Sequence, residues 1–162
     1  MKNISTEYEV MITDNKNKAF LELILLLDAD LNSRNGVLQE QYNKHNKIDN
    51  IRDVVLIYWG DLAVACGAFK EYDASTVELK RIFVRKEHRG KGLAKSVVKE
   101  LESLALSKDY KTCILETGHK HVEALNLYKK CGYEVINNFG PYEGMEDSIC
   151  LKKDIKEDFK KI

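Results

Sequence analysis

The stretch VRKEHRGKGLAKS, Val84 to Ser96, holds two glycines two residues apart, basic residues on both sides, and the start of an apolar-periodic run. Leu93, Val97, Leu101 and Leu104 fall on one helical face, which predicts a helix from about Gly90 to Ser107. A helix N-terminus presents unpaired N–H groups and partial positive charge, and glycines there let an anion come close to the backbone. Lys80, Arg81, Arg85, Lys86, Arg89 and Lys91 add six basic side chains to the neighbourhood. A solvated charge run ahead of an ordinary helix uses the same residue types, so the spacing of the glycines has to decide what the loop holds.

Two mononucleotide patterns fail on specific residues. A P-loop needs GxxxxGK[ST]; Lys95-Ser96 is in place, but Arg89 and Ala94 occupy the two glycine positions. A dinucleotide fingerprint needs GxGxxG; Gly90 and Gly92 fit its start and Lys95 stands at the third glycine.

Outward from the loop, the chain alternates between two periods. YEVMI (8–12) reads as a first strand, and Phe20, Ile24, Leu27 and Leu31 predict an amphipathic helix from about Asn17 to Ser33. NGVLQEQYNKHNK (35–47) is polar and suggests a second short helix. DVVLIYW, a turn at Gly60-Asp61 and LAVACGAFKEY form a hairpin in outline, and STVELKRIFV adds a strand after the Asp73-Ala74 turn. Past the helix after the loop come the strand KTCILE, a helix marked by Ala124, Leu125, Leu127, Tyr128 and Cys131 and closed by Gly132, and the strands YEVI and EDSICLKK. The order predicts a mixed α/β (α+β) sheet with helices on both faces.

Bulk properties narrow the classes. The 162 residues contain one proline and no linker, repeat or low-complexity block, so one domain, 1–162, is expected. Lys plus Arg (26) equals Asp plus Glu (26), and nothing global favours nucleic acid or an anionic membrane. The stretch FLELILLLDADL is broken by Glu22 and Asp28 and is shorter than the ~20 residues of a span. MKNISTEYEV lacks a signal-peptide core, which leaves the cytoplasm as the expected location. Cys66, Cys113, Cys131 and Cys150 form no CxxC pair and read as free thiols, three of them inside apolar runs. His119 and His121 do not share a helix face and have no evident third ligand, so no metal site is expected.

What fits the glycine loop is [Q/R]xxGx[G/A], as Arg89-Gly90-Lys91-Gly92-Leu93-Ala94. This resembles the acyl-CoA pyrophosphate loop of the GNAT superfamily of N-acetyltransferases. VELKRIFV before the loop, ILETG after the helix and ALNLYKKCGY beyond follow in family order, so the resemblance covers roughly residues 55–152. It implies a mostly antiparallel sheet whose central strands are parallel and splayed, acetyl-CoA as co-substrate, and a primary amine of a small molecule or peptide as acceptor. Cofactor contacts then fall to Ile82, Phe83 and Val84 on the strand and to Arg89 through Ala94 in the loop.

Acetyl transfer to an amine requires a base for the ammonium proton, a donor for the thioester oxygen, and a proton for the departing thiolate. Leu79, Ile82 and Val84 are spaced three and then two, a slip that a β-bulge explains; a strand buried on both faces would show no parity at all. The resemblance implies a bulge, an amide at Val84 facing the thioester oxygen, and Glu78 as general base, although some members use water chains instead. Glu116, ending KTCILE, is the rival carboxylate, with structural hydrogen bonding as its plainer role. Tyr128 in ALNLYKKCGY matches the family tyrosine that points at the coenzyme sulfur, and spacing alone would equally make it a core aromatic. His121 stands where many members place an asparagine that holds the pantetheine arm, and Asn126 is a nearby substitute. No cysteine sits beside an obvious base, so direct attack in a ternary complex is expected over a covalent route.

The resemblance assigns the acceptor side to the first helices and the loop between the last strands, here about Leu31–Asn46 and NNFGPYEGME (137–146). By residue type Tyr42, Phe139, Tyr142 and Glu143 could shape a small pocket there, with solvated loop residues as the alternative, and Glu116 is a further weak candidate for substrate binding. KKDIKEDFKKI places Ile155, Phe159 and Ile162 at helical spacing, as a frayed tail or a dimer contact, and both monomer and homodimer stay open. The competing classes are a non-catalytic acyl-CoA sensor, opposed by the presence of both Glu78 and Tyr128, and a nucleic-acid module, opposed by the neutral charge and the lack of interleaved aromatics.

Overall fold

The computed structural model describes residues 7–35, 48 and 50–156. Its elements are β1 (Tyr8–Thr13), α1 (Lys18–Asn35), β2 (Asp53–Trp59), β3 (Leu62–Asp73), β4 (Thr76–Val84), α2 (Leu93–Ser107), β5 (Thr112–Gly118), α3 (Val122–Lys130), β6 (Glu134–Ile136) and β7 (Ser148–Asp154), with short 3-10 turns at Lys86–His88 and Gly140–Tyr142. The strands follow the order β1-β2-β3-β4-β5-β7-β6 in one sheet. β4 and β5 are parallel, and the β1–β2, β2–β3, β5–β7 and β6–β7 pairs are antiparallel, as expected. The segment expected to form a short helix at 35–47 lies, from Gly36 on, outside the described residues, as do Phe159 and Ile162.

The chain packs as two compact units, the first running to Lys70 and including Lys80–Leu101, the second made of Glu71–Leu79 and the residues from Glu102 on. In the first, Asn17 caps α1: its Oδ1 accepts the Phe20 amide at 3.1 Å, satisfying a donor that the first turn leaves unpaired. Phe20, Leu23, Ile24 and Leu27 form the buried stripe of α1 and share a core with Ile51, Val54, Leu56, Ala63, Cys66, Ala68 and Phe83. Each Phe, Leu, Ile or Val among them contributes about 1.5–3 kcal/mol when fully buried. Gly67 on β3 is glycine because α2 lies against it: a Cβ there would come within 2.4 Å of Val97 Cγ1.

The spacing slip in β4 has a backbone cause. Arg81 sits at φ 60°, a left-handed conformation inside a strand, and this re-aims the residues after it. The alternative of burial on both faces also holds, since Thr76 through Arg81, Phe83 and Val84 are all buried. Lys80 and Arg81 are 6% and 8% exposed, so they do not belong to the exposed charge of the glycine loop as the sequence suggested. Arg81 instead pairs with Asp28 of α1.

In the second unit, the β4–β5 ladder is three pairs long, from Thr76↔Thr112 to Glu78↔Ile114. β5 pairs with β7 along its whole length. The C-terminus of α3 forms a Schellman motif: the Gly132 amide donates to the Lys129 carbonyl and the Tyr133 amide to the Tyr128 carbonyl, with Gly132 at φ 98°. Glu102 is 1% exposed and has both oxygens matched, accepting from the Tyr133 hydroxyl at 2.7 Å and from Lys153 Nζ at 3.0 Å. Ile155, expected in a tail, is fully buried, and its amide donates to the Lys111 carbonyl.

Candidate active site

The glycine loop is built as an open cradle. Helix α2 begins at Leu93 rather than Gly90, because Gly90 and Gly92 both sit at φ 79° and cannot continue a right-handed helix. A Cβ on either would meet nothing within 4 Å. The Ser96 amide is bonded to the Gly92 carbonyl, so the amides of the first turn before it have no intrahelical acceptor. That combination of exposed donors, positive helix end and free approach fits a pyrophosphate.

The side chains around the cradle divide by burial. Lys86, Arg89 and Lys91 are exposed, whereas Leu93 is a buried anchor and Ala94 is half-buried. Arg89 also shapes the loop: its Nε donates to the Val84 carbonyl at 2.9 Å and its guanidinium lies 5.5 Å from the centre of the Phe83 ring. Arg85 donates from Nε to the Ala63 carbonyl at 2.7 Å, tying the end of β4 to β3. Ile82 is half-buried, and Phe83 and Val84 are buried.

The second unit gathers the proton-transfer candidates. Glu78 is 3% exposed, and Tyr142, at 2%, donates its hydroxyl to Glu78 Oε2 at 3.0 Å. Glu116 on β5 accepts from the Ser148 hydroxyl at 2.6 Å, a side-chain partner on β7. Burial raises the Tyr142 phenol far above its ordinary pKa, with the Glu78 and Glu116 charges adding to the effect. Burial likewise raises Tyr128, reinforced by Cys131 and Glu116. Cys150 is pushed up to about 11 by burial and by the same two carboxylates. The Glu116 charge therefore acts on Tyr128, Tyr142 and Cys150 together, an influence that residue spacing could not reveal.

Tyr128 is the one buried residue of α3. Its ring meets Tyr133 edge to face at 6.1 Å, and among the described residues its hydroxyl makes no hydrogen bond. Asn126 is exposed on the same helix. His121 precedes α3 and packs on Gly118, where a Cβ would come within 2.8 Å of its ring; position 118 in ETG is glycine to admit that ring. Phe139 and Tyr142, expected to line an acceptor pocket, are buried with Ile114 and Cys150, while Glu143 is exposed. Tyr42 lies outside the described residues.

The profile of the Acetyltransferase (GNAT) family matches residues 22–133. The chain belongs to the GNAT family. Membership makes it an acetyltransferase, with acetyl-CoA as the acyl donor. It is similar to the uncharacterized N-acetyltransferase YsnE of Bacillus subtilis, with 29% identity over 112 residues, 65% of this chain and 74% of the relative. It is also similar to N-acetyltransferase 14 of Xenopus tropicalis, at 34% over 120 residues, 74% of this chain and 54% of the relative. Among solved structures, an acyl-CoA N-acyltransferase from Klebsiella pneumoniae superposes with a TM-score of 0.77 at 26% identity, covering 93% of this chain and 99% of that one. A GNAT acetyltransferase from Elizabethkingia anophelis with acetyl-CoA bound shares the fold at a TM-score of 0.67 and 21% identity, covering 93% of this chain and 99% of that one. No helix among the described residues is long and apolar enough to cross a membrane.

Proposed function

We propose that this GNAT chain acts as a single acetyltransferase domain that moves an acetyl group from acetyl-CoA to a primary amine of a small molecule or peptide by direct attack. The observation that carries the reading is Glu78, a carboxylate buried to 3% exposure on the strand that runs into the glycine cradle. Glu78 takes a proton from the acceptor ammonium, and the amine nitrogen then bonds to the acyl carbon as the carbon–sulfur bond breaks. Tyr128 gives its phenolic proton to the departing sulfur and regains one as the new amide nitrogen loses its excess proton. Burial keeps that phenol neutral and able to donate. The Val84 amide serves the thioester oxygen, the first-turn amides of Gly92 to Lys95 serve the pyrophosphate with Gly90, Lys91 and Arg89 beside them, and His121 and Asn126 serve the pantetheine arm.

Direct attack is supported by the thiols. Cys66 and Cys113 are pushed up to about 12 and Cys150 to about 11, all by burial first, which leaves little thiolate for a covalent route at these three of the four cysteines. The test is a panel of amino acids, polyamines, aminosugars and peptide N-termini assayed for thiol release from acetyl-CoA. The reading expects at least one acceptor, with kcat for Glu78→Gln lowered about 10²-fold or more. Tight acetyl-CoA binding with no turnover on any amine would instead mark an acyl-CoA sensor.

A further inference from the structure

We propose that Tyr142 is the positioning residue for Glu78, holding the carboxylate in the orientation from which it accepts the acceptor's proton. The proposal deepens the reading of Glu78 as base and rests on it. Its ground is the 3.0 Å hydrogen bond from the Tyr142 hydroxyl to Glu78 Oε2, between two side chains that are 2% and 3% exposed.

The turn that carries the phenol is itself fixed. The Tyr142 amide donates to the Phe139 carbonyl, and the Met145 amide donates to the Tyr142 carbonyl, both at 3.0 Å. Asn138 Nδ2 clamps the same turn by donating to the carbonyls of Tyr142 at 3.1 Å and Met145 at 2.9 Å. The Tyr142 ring meets Phe139 edge to face at 5.4 Å, and Phe139 meets Tyr72 at the same distance. Burial, with the Glu78 and Glu116 charges beside it, keeps the hydroxyl protonated and donating. A general base misplaced by about 1 Å can lose on the order of 10²-fold in rate, so this contact has a catalytic consequence beyond packing.

A double-mutant cycle tests the proposal. Tyr142→Phe keeps the ring and removes the donor; it should lower kcat about tenfold or more while the KM for acetyl-CoA stays within about twofold. In the Glu78→Gln background the same substitution should change kcat by less than about twofold, because Tyr142 acts through a base that is already gone. Met145→Leu, which alters packing around the turn and leaves the hydroxyl, should leave kcat within about twofold. Equal losses from Tyr142→Phe with and without Glu78 would overturn the proposal, as would a wild-type kcat for Tyr142→Phe.

A second readout needs neither turnover nor a folded Tyr142 variant. The Tyr142 hydroxyl proton should appear in the NMR spectrum of wild-type protein as a downfield resonance slow to exchange with water, and should move upfield in Glu78→Gln. If that resonance is absent or indifferent to Glu78→Gln, the contact does not hold and the proposal fails. If it behaves as expected while Glu78→Gln retains full kcat, the base assignment has failed and the positioning role falls with it, whereas the hydrogen bond stands.

Discussion

The rings of Tyr128 and Tyr133 meet edge to face, 6.1 Å between centroids, because Gly132 at φ 98° folds the chain back so that the Tyr133 amide reaches the Tyr128 carbonyl. The helix stop and the acid candidate are thus parts of one motif. The ring that flanks Tyr128 also reaches Glu102 with its hydroxyl, so the cap ties Tyr128 to the buried charge pair behind it.

Gly132→Ala should test that link. An added Cβ comes no closer than 3.4 Å to Lys153, so the cost is conformational, about 1–2 kcal/mol for a left-handed alanine. Urea unfolding should show that loss, and kcat should fall along with it as Tyr128 shifts.

Tyr128→Phe should separate chemistry from packing. The ring stays in its edge contact and only the hydroxyl goes, so urea unfolding should change by less than about 1 kcal/mol. Steady-state kcat should fall about 10²-fold with the KM for acetyl-CoA nearly unchanged. An unchanged kcat would return Tyr128 to the role of a core aromatic.

Lys153→Met should destabilise the protein by about 3 kcal/mol, since Glu102 would remain charged and buried with only the Tyr133 hydroxyl as its remaining named partner. The double variant Glu102→Gln with Lys153→Met should recover much of that loss in thermal or urea melts. A single variant as stable as wild type would show that the pair carries no net coupling.

Gly92→Ala should weaken acetyl-CoA binding more than it weakens the fold. Nothing lies within 4 Å of the added Cβ, so the fold loses only the cost of a left-handed alanine, about 1–2 kcal/mol. The same methyl group occupies the face where an anion approaches the amides, and calorimetry should register a Kd raised about tenfold or more.

Stability should fall on the alkaline side. Burial raises the Cys66 thiol from 9.0 to about 12 in the folded protein. A thiol whose folded pKa lies above its unfolded value contributes fully below about pH 9, and that contribution is lost as pH rises towards about 12, at up to ~1.4 kcal/mol per pH unit. Urea melts from pH 8 to pH 10.5 should show a steep decline. Cys66→Ala should start lower and decline less steeply, and equal slopes would refute the assignment.

Much of this was legible in the chain itself, where the information is local. Periodicity located α1, α2 and α3, the apolar runs located β2 through β5, and Arg89 to Ala94 pointed to the anion cradle, because each depends on neighbours a few residues apart. The slip between Leu79 and Ile82 even marked the left-handed residue Arg81. Two expectations fail, one for want of depth and one for want of the backbone angle. Lys80 and Arg81 were counted with the exposed loop, and the helix was begun at Gly90, since sequence shows neither burial nor the sign of φ.

Only the tertiary structure decided who stands beside Glu78. Tyr142 lies 64 positions away along the chain, and Glu116 and Ser148 come to their pairing across β5 and β7. The sequence could nominate a carboxylate, a phenol and a glycine cradle by residue type and local spacing. Which phenol gives its hydrogen bond to the carboxylate depends on contacts between distant segments, and those exist only once the strands have paired and the 138–145 turn has brought Tyr142 to Glu78.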